Sequence, residues 1–348
     1  MKAFILDRYA KAGGLRLGEM PEPVVRENDV LVQVHAASVN VLDSKIRNGE
    51  FKLLLPYRLP LILGSDLAGV VVRVGSRARR FKVGDEVYAR PDSARIGAFA
   101  ELISMNEDAV AHKPKALSME EAASIPLVAL TAWQALVEQA NLKKGQKVLI
   151  HAGSGGVGTV AIQLARHLGA LVATTTSAAN ADWVKRLGAD VVIDYSKDDF
   201  EEVLRGYDVV LNSLGADVLE KSLRVLKPGG KLISISGPPD PAFAKDIGAS
   251  WLLRQVMRLL SYRIRKKANR HGVSYSFLFM RASGDQLHEI GSLIDSGAIR
   301  PVVDQVFPFA STNEAMAYVD KGRTKGKVIV RVRSLEMTSR ALSALGRG

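Results

Sequence analysis

From Lys147 onward the chain alternates apolar strands with amphipathic helices, and the first strand runs straight into a glycine-rich loop. "KVLIHAG" leads into "SGGVGTVAIQLARHLGA", then "LVATTTS", "NADWVKRLGA", "DVVIDY", "DDFEEVLRG", "YDVVLNSLG", "DVLEKSLRVLKPGG" and "KLISISG". Near-continuous apolar strands joined by helical crossovers are buried on both faces. That pattern requires a parallel, doubly wound α/β sheet. In the loop, Gly153, Gly155 and Gly158 stand at G-x-G-x-x-G spacing. Glycines there permit a tight turn, close approach of the backbone to a pyrophosphate and close helix–strand packing. The helix N-terminus adds free N–H groups for the phosphates. Alone the motif is weak; inside a strict βαβ series it marks a dinucleotide site.

The next strand end bears on which dinucleotide. An NAD site carries an acid about 20 residues on, to hold the ribose 2′-hydroxyl. Here the strand closes in Thr174-Thr175-Thr176-Ser177, and no acid follows until Asp182. Small hydroxyls accommodate a 2′-phosphate that a carboxylate would repel, so NADPH is the expected cofactor.

The N-terminal third has another texture. Up to about Pro114 the segments are short, β-branched and broken by Gly, Pro and Asp, with "VLVQVHAASV", "AGVVVRVG" and "DEVYAR" reading as strands. Ser118 to Ala140 then reads as a helix, with Ser118 and Glu121 spaced as a capping box. At 348 residues the chain exceeds one ordinary core, so two domains are expected.

Composition removes several chemistries. With no cysteine, thiolate nucleophiles, iron–sulfur clusters and cysteine-held zinc are excluded. The six histidines (His35, His112, His151, His167, His271, His288) show neither metal spacing nor a nucleophile–histidine–acid arrangement. The start of the chain has no secretory signal and no window is long and apolar enough to span a bilayer. A cytoplasmic protein is expected. The net charge of +12 suits nucleic acid, an anionic membrane surface or a polyphosphate cofactor, or reflects a basic proteome.

Much of that charge lies in "SWLLRQVMRLLSYRIRKKANRHG", Ser250 to Gly272, which reads as one basic amphipathic helix over 252–270. It suits a solvated cover or a membrane-surface helix. A nucleic-acid contact is not expected, because only Trp251 and Tyr262 are interleaved.

The N-terminal β unit, the loop "HAGSGGVGTVAIQLA" and the closing "GAIRPVVDQVFPF" and "GRTKGKVIV" together resemble the medium-chain dehydrogenase/reductase superfamily, over residues 1 to 332. Within it the chain is similar to the zinc-free quinone oxidoreductases and alkenal/one reductases; "YSFLFMRASG" is similar to a mitochondrial member. The resemblance implies a GroES-like β-rich catalytic domain (1–123 and 273–348) and a Rossmann NADP-binding domain (124–272). The implied activity is zinc-independent hydride transfer from NADPH to quinones or to the C=C bond of α,β-unsaturated carbonyls. A non-catalytic NADPH-binding module and a peripheral membrane quinone reductase are the alternatives. Ser154, Gly155, Gly156 and Val157 match the family's pyrophosphate loop. Thr176, Ser177 and Tyr195 match positions around the 2′-phosphate, although Asn180 stands where a lysine is common. Asn40, Asp43 and Thr131 match residues beside the nicotinamide; Leu214, Phe277 and Phe279 match cofactor-side backbone. Tyr57, Tyr275 or solvent is left to deliver the proton. A homodimer through an edge strand is implied by relatives, with "KLISISG" the candidate edge.

Zinc-dependent relatives of that family place their metal ligands where this chain has Asp43, Ser65-Asp66 in "LILGSDLAGVV", and Leu127. One Asp, one Ser and a Leu do not make a three-ligand zinc site. The expectation is an Asp66 kept for hydrogen bonding or pairing with a base, and open space at Ser65.

Overall fold

The computed structural model describes residues 1–11, 14–52 and 54–333. The basic stretch that closes the sequence, Arg333 to Gly348, lies outside the described residues after Arg333. In chain order the elements are β1 (Lys2–Leu6), β2 (Arg16–Glu19), β3 (Asp29–Val39), α1 (Val41–Arg47), β4 (Leu61–Ile62), β5 (Asp66–Val74), β6 (Glu86–Ala89), β7 (Leu102–Asn106), β8 (Val110–His112), α2 (Met119–Ala123) and α3 (Pro126–Trp133). They continue as β9 (Lys147–Ile150), α4 (Gly156–His167), β10 (Leu171–Thr176), α5 (Ala181–Leu187), β11 (Val191–Asp194), α6 (Phe200–Val203), β12 (Tyr207–Asn212), α7 (Ala216–Val225), β13 (Leu226–Ser234) and α8 (Pro241–Asp246). The chain closes with α9 (Trp251–Leu260), α10 (Tyr262–Arg270), β14 (Ser274–Phe277), α11 (Gly284–Asp295), β15 (Val303–Pro308), α12 (Thr312–Asp320) and β16 (Lys327–Arg331).

These elements form two compact units, one of Met1–Leu130 with the segment returning from Arg281, the other of Thr131–Met280. The second unit holds a six-stranded sheet in the order β11-β10-β9-β12-β13-β14. Every pairing in it is parallel. Counted along the chain, the order is 3-2-1-4-5-6, the doubly wound arrangement that the alternation requires. Its reversal lies between β9 and β12, so the loops after those two strands flank the crevice where such sheets bind ligands.

The first unit is built on a larger, mostly antiparallel sheet, β15-β16-β3-β5-β6-β8, with β7 also pairing with β3. β3 is its spine: ten of its eleven residues are buried because core packs against both faces. Val32, Val34, Leu67, Val71, Phe99, Val328 and Val330 share one cluster beneath it. The registers matter for function. β3 pairs with β5 so that Ser38 lies opposite Asp66. β5 and β6 pair Leu67 with Ala89, which brings Arg90 level with Asp66. β16 pairs Val328 with Val39, so Lys327 comes level with Asn40.

Both long helices expected from periodicity are interrupted. The 118–140 segment keeps its Ser118–Glu121 capping box but breaks before Pro126, whose missing N–H cannot continue the helix, and ends in a widened π turn at Gln134–Gln139. The 252–270 segment breaks at buried Ser261. Its hydroxyl donates back to the Met257 carbonyl (2.8 Å) and accepts from Arg265, competing with the backbone ladder. The expected dimer edge is also corrected. "KLISISG" belongs to β13, which is paired on both sides, and the free edge on that flank is β14.

Candidate active site

The polar pair inside "LILGSDLAGVV" is fully buried, and each member has its partners in the first unit. Asp66 Oδ2 accepts from Ser38 Oγ (2.7 Å), Asn40 Nδ2 (2.9 Å) and Lys327 Nζ (3.4 Å). Its Oδ1 accepts from the backbone N–H of Leu127 (2.7 Å). Lys327 Nζ also donates to the Asn40 Oδ1 and to the Val39 carbonyl (3.1 Å). The Asn40 amide is therefore held at both ends, its oxygen by Lys327 and its nitrogen by Asp66. Asn40 in turn precedes α1 and donates its backbone N–H to Asp43 Oδ2 (2.8 Å), while Asp43 Oδ1 accepts from Ser65 Oγ (2.8 Å).

Ser65 does not leave open space: its side chain is closed onto Asp43. The positions that hold zinc in metal-dependent relatives thus satisfy one another directly, Asp43 with Ser65 and Asp66 with the Leu127 amide. Asp66 takes four protein donors, one of them the Lys327 ammonium, Asp43 takes two and Leu127 has no ligating side chain, so the donor set does not supply the three ligands zinc takes. Among the described residues no group of three His, Asp or Glu is placed to hold a metal.

Positive charge comes instead from side chains. Burial draws the Lys327 ammonium below its ordinary range, against the opposing pull of Asp66 and Asp43. Arg90, 1 % exposed, donates to the Pro91 carbonyl (2.6 Å) and Ser93 Oγ (3.0 Å), and its Nε has no partner. Burial lowers its pKa too, while Asp66, Tyr57 and Asp43 act to raise it. Burial pushes the Asp43 carboxyl up to about 6; the Asn40 and Ser65 donors hold it down and Asp66 adds to the rise. Tyr57 donates its hydroxyl to the Ser93 carbonyl, and burial raises its pKa well above that of a free phenol.

In the second unit the phosphate loop has the geometry its glycines foretell. A Cβ on Gly158 would sit 2.3 Å from the Ala152 carbonyl oxygen, and one on Gly153 would sit 2.1 Å from Thr174 Oγ1. Ala152 itself takes a positive φ of 53° to turn the chain. The first-turn amides of α4, from Gly156 onward, have no intrahelical acceptor and lie beside half-buried Ser154 and Gly155. A dinucleotide pyrophosphate fits this cradle.

Thr176, Ser177, Tyr195, Leu214, Phe277 and Phe279 lie at the carboxyl edge of the parallel sheet, at or just past the ends of β10, β11, β12 and β14. Thr176, ending β10, donates to Ser154 Oγ (3.0 Å) and accepts from the Tyr195 N–H (3.3 Å) through its carbonyl. Ser177 accepts from Asn180 (3.1 Å), which ties the loop to Trp183. Tyr195 is exposed. The Leu214 carbonyl accepts from Asn212 and Ser236. Phe277 and Phe279 both pack on Phe243, and the Phe277 N–H is held by Asp240, the N-cap of α8. Thr131 is buried in α3. Tyr275 donates to the Pro238 carbonyl (2.7 Å). His151 is buried between Thr175 and Ser222. Because Ser222 already donates to Val218, the ring presents Nε2–H to it and accepts at Nδ1; burial lowers its pKa to about 3 and keeps it neutral. Lys327, Arg90 and Ser38 escaped the reading of the sequence. So did Asp194, which β11 places opposite Thr176 and whose carboxylate is turned onto Ser196.

Comparison with known proteins decides the lineage. Residues 26–115 match an alcohol dehydrogenase GroES-like domain and residues 187–330 a zinc-binding dehydrogenase domain. A zebrafish protein named mitochondrial NAD(P)H oxidoreductase RTN4IP1 is 35% identical over 95% of this chain and 91% of its own length. This chain belongs to the medium-chain dehydrogenase/reductase superfamily. The superfamily's NADPH-dependent alkenal/one oxidoreductase of the Arabidopsis chloroplast is 33% identical over 95% of this chain and 79% of its own. A structure of a quinone oxidoreductase from Coxiella burnetii superposes with a TM-score of 0.83 at 32% identity, covering 96% of this chain and 99% of that one. As a member of this superfamily the chain is an oxidoreductase using a nicotinamide cofactor.

The cytoplasmic expectation is overturned by the same comparison. The zebrafish, mouse and human relatives carry mitochondrial names and the Arabidopsis relative a chloroplast one. The absence of cysteine does not separate cytosol from an organelle interior.

Two outcomes follow from the clamp. Replacing Lys327 by Met leaves Asn40 Oδ1 without its donor and Asp66 without its cation. Stopped-flow and steady-state assays are expected to show kcat lowered about 10- to 100-fold, the equivalent of one lost charged hydrogen bond. Nucleotide affinity should stay unchanged, since the phosphate loop lies in the other unit. The second outcome concerns pH. Protonated Asp43 cannot accept from both Asn40 and Ser65, so kcat/KM should fall as pH drops through about 6. Asp43→Asn should be slow and lack that inflection. In stability the sign is opposite: a folded pKa above the usual carboxylate value gives stability at low pH that is lost as pH rises through about 6.

Proposed function

We propose that this chain is a metal-independent, NADPH-preferring reductase of quinones or of the C=C bond of α,β-unsaturated carbonyls. The observation that carries this reading is the closure of the zinc positions onto one another around Asp66 and Lys327. Hydride addition to a simple carbonyl develops an alkoxide that a Lewis acid or a poised proton donor must stabilise. Quinones and enones accept a hydride without one, because the product is a hydroquinone anion or an enolate that spreads its own charge. Relatives named alkenal/one oxidoreductase and quinone oxidoreductase support the same acceptor classes.

NADPH held by Ser154, Gly155, Gly156 and Val157 supplies the hydride. Leu214, Phe277 and Phe279 border the same sheet edge. In the first unit Asn40, with Asp43 behind it, matches the family's ring-side residues, and its amide is preset because Lys327 and Asp66 fix both ends; in the second unit Thr131 is the corresponding match. Arg90 adds a positive field in which the anionic product is less costly. Tyr57 and Tyr275 each donate to a backbone carbonyl, which leaves solvent to supply the proton. Thr176, Ser177 and Tyr195 form the 2′-phosphate end, with Lys197 two residues beyond Tyr195 in place of the cation missing at Asn180. Asp194 beside Thr176 accepts from Ser196, which keeps its pKa low and its carboxylate charged; that charge opposes a 2′-phosphate, and Lys197 is the cation that offsets it.

A panel of quinones, alkenals and cyclic enones, assayed with NADPH and NADH in the presence of chelator, tests the reading. Turnover should persist under chelation, with a higher kcat/KM for NADPH. Ser177→Asp should reverse the nucleotide preference by repelling the 2′-phosphate. Loss of turnover on chelation, or no turnover on any acceptor while NADPH still binds, would refute it.

A further inference from the structure

Helices α9 and α10 carry a surface that the reductase reading leaves unexplained. From Ile247 to Gly284 the chain has no acidic residue, while α9 and α10 carry Arg254, Arg258, Arg263, Arg265, Lys266, Lys267 and Arg270. Among the described residues only Lys267 of these pairs with a carboxylate, Glu220. The apolar side of α9 is exposed alongside that charge. Met257 is the buried contact of the helix, with Leu253 half-buried beside it. Leu252, Val256, Leu259 and Leu260 fall at i, i+4, i+7 and i+8, a single stripe turned to solvent. Trp251 at its head is 73% exposed and Leu259 76%. On α10 the buried residues are Ile264 and Ala268, and Arg263, Lys266 and Arg270 point outward at i, i+3 and i+7.

We propose that α9 and α10 form a docking surface for an anionic lipid bilayer, with the α9 stripe and Trp251 entering the headgroup boundary and the basic residues facing the phosphates. An exposed tryptophan and aliphatic stripe edged by unpaired arginines match the chemistry of an interfacial helix. Nucleic acid would use the cations but give no reason to expose four aliphatic side chains. A second copy of this chain would set two acid-free basic patches against each other, which like-charge repulsion opposes. The surface is distinct from the residues of the reductase reading and stands independently of it. It would bring a soluble reductase to a membrane phase in which apolar acceptors dissolve.

Flotation of the full chain with vesicles tests this. Binding is expected to phosphatidylcholine vesicles containing phosphatidylglycerol and not to phosphatidylcholine alone, and to weaken as salt rises. Emission from Trp251, the most exposed of the three tryptophans, should shift to the blue on the anionic vesicles. Arg263→Glu with Lys266→Glu and Arg270→Glu, and separately Leu259→Asp, should each lower the partition coefficient at least about tenfold while the melting temperature stays near wild type. Arg258→Glu serves as a further variant should either misfold. No flotation, equal flotation on neutral vesicles, or binding untouched by these variants would overturn the proposal. So would tighter binding to an oligonucleotide than to anionic vesicles, or sedimentation showing a dimer that both surface variants dissolve.

Discussion

A buried ion pair between Lys327 and Asp66 organises the first unit. Both side chains are out of water, and an ammonium or carboxylate left alone there is strongly destabilising. The pair is tolerated because every remaining acceptor and donor is used: Ser38, Asn40 and the Leu127 amide around Asp66, and Asn40 and the Val39 carbonyl around Lys327. Such a fully satisfied network contributes more to uniqueness than to net stability. What it specifies is the orientation of one amide, Asn40, and through Asn40 the start of α1 and the position of Asp43.

The network exists because four strands converge in one register. β3 brings Ser38 and leads into Asn40, β5 begins at Asp66, β6 ends beside Arg90, and β16 begins at Lys327. Polar residues sit at the strand ends, where the sheet stops and a site begins, while the strand centres are apolar. Each site residue is therefore positioned by a ladder of backbone hydrogen bonds.

The second unit was almost wholly legible in the sequence, because period-2 strands, amphipathic helices and a glycine loop are local signals. The glycine loop was legible from Gly153, Gly155 and Gly158 alone, while the set Ser154–Val157 came from the family resemblance. Lys327 was not legible: a lysine opening "KVIVRV" looks like an exposed strand end, and only the return of β16 beside β3 turns it onto Asn40. Arg90 was hidden for the same reason, its place opposite Asp66 being a matter of register. Asp66 was expected to meet a base, and the pattern alone did not say which. The helix breaks were missed because Ser261 and Pro126 act against otherwise unbroken periodicity. The edge strand was misplaced since "KLISISG" closes the strongest run of alternation, whereas the short "SYSF" that follows α10 has little signal of its own.

The central claim is that Lys327 acts through Asn40. A double-mutant cycle of Lys327→Met and Asn40→Ala, read as kcat with saturating nucleotide, tests it most directly. If the lysine works by holding the amide, the double variant is no slower than Asn40→Ala alone. Independent, multiplicative losses from the two substitutions would contradict the account.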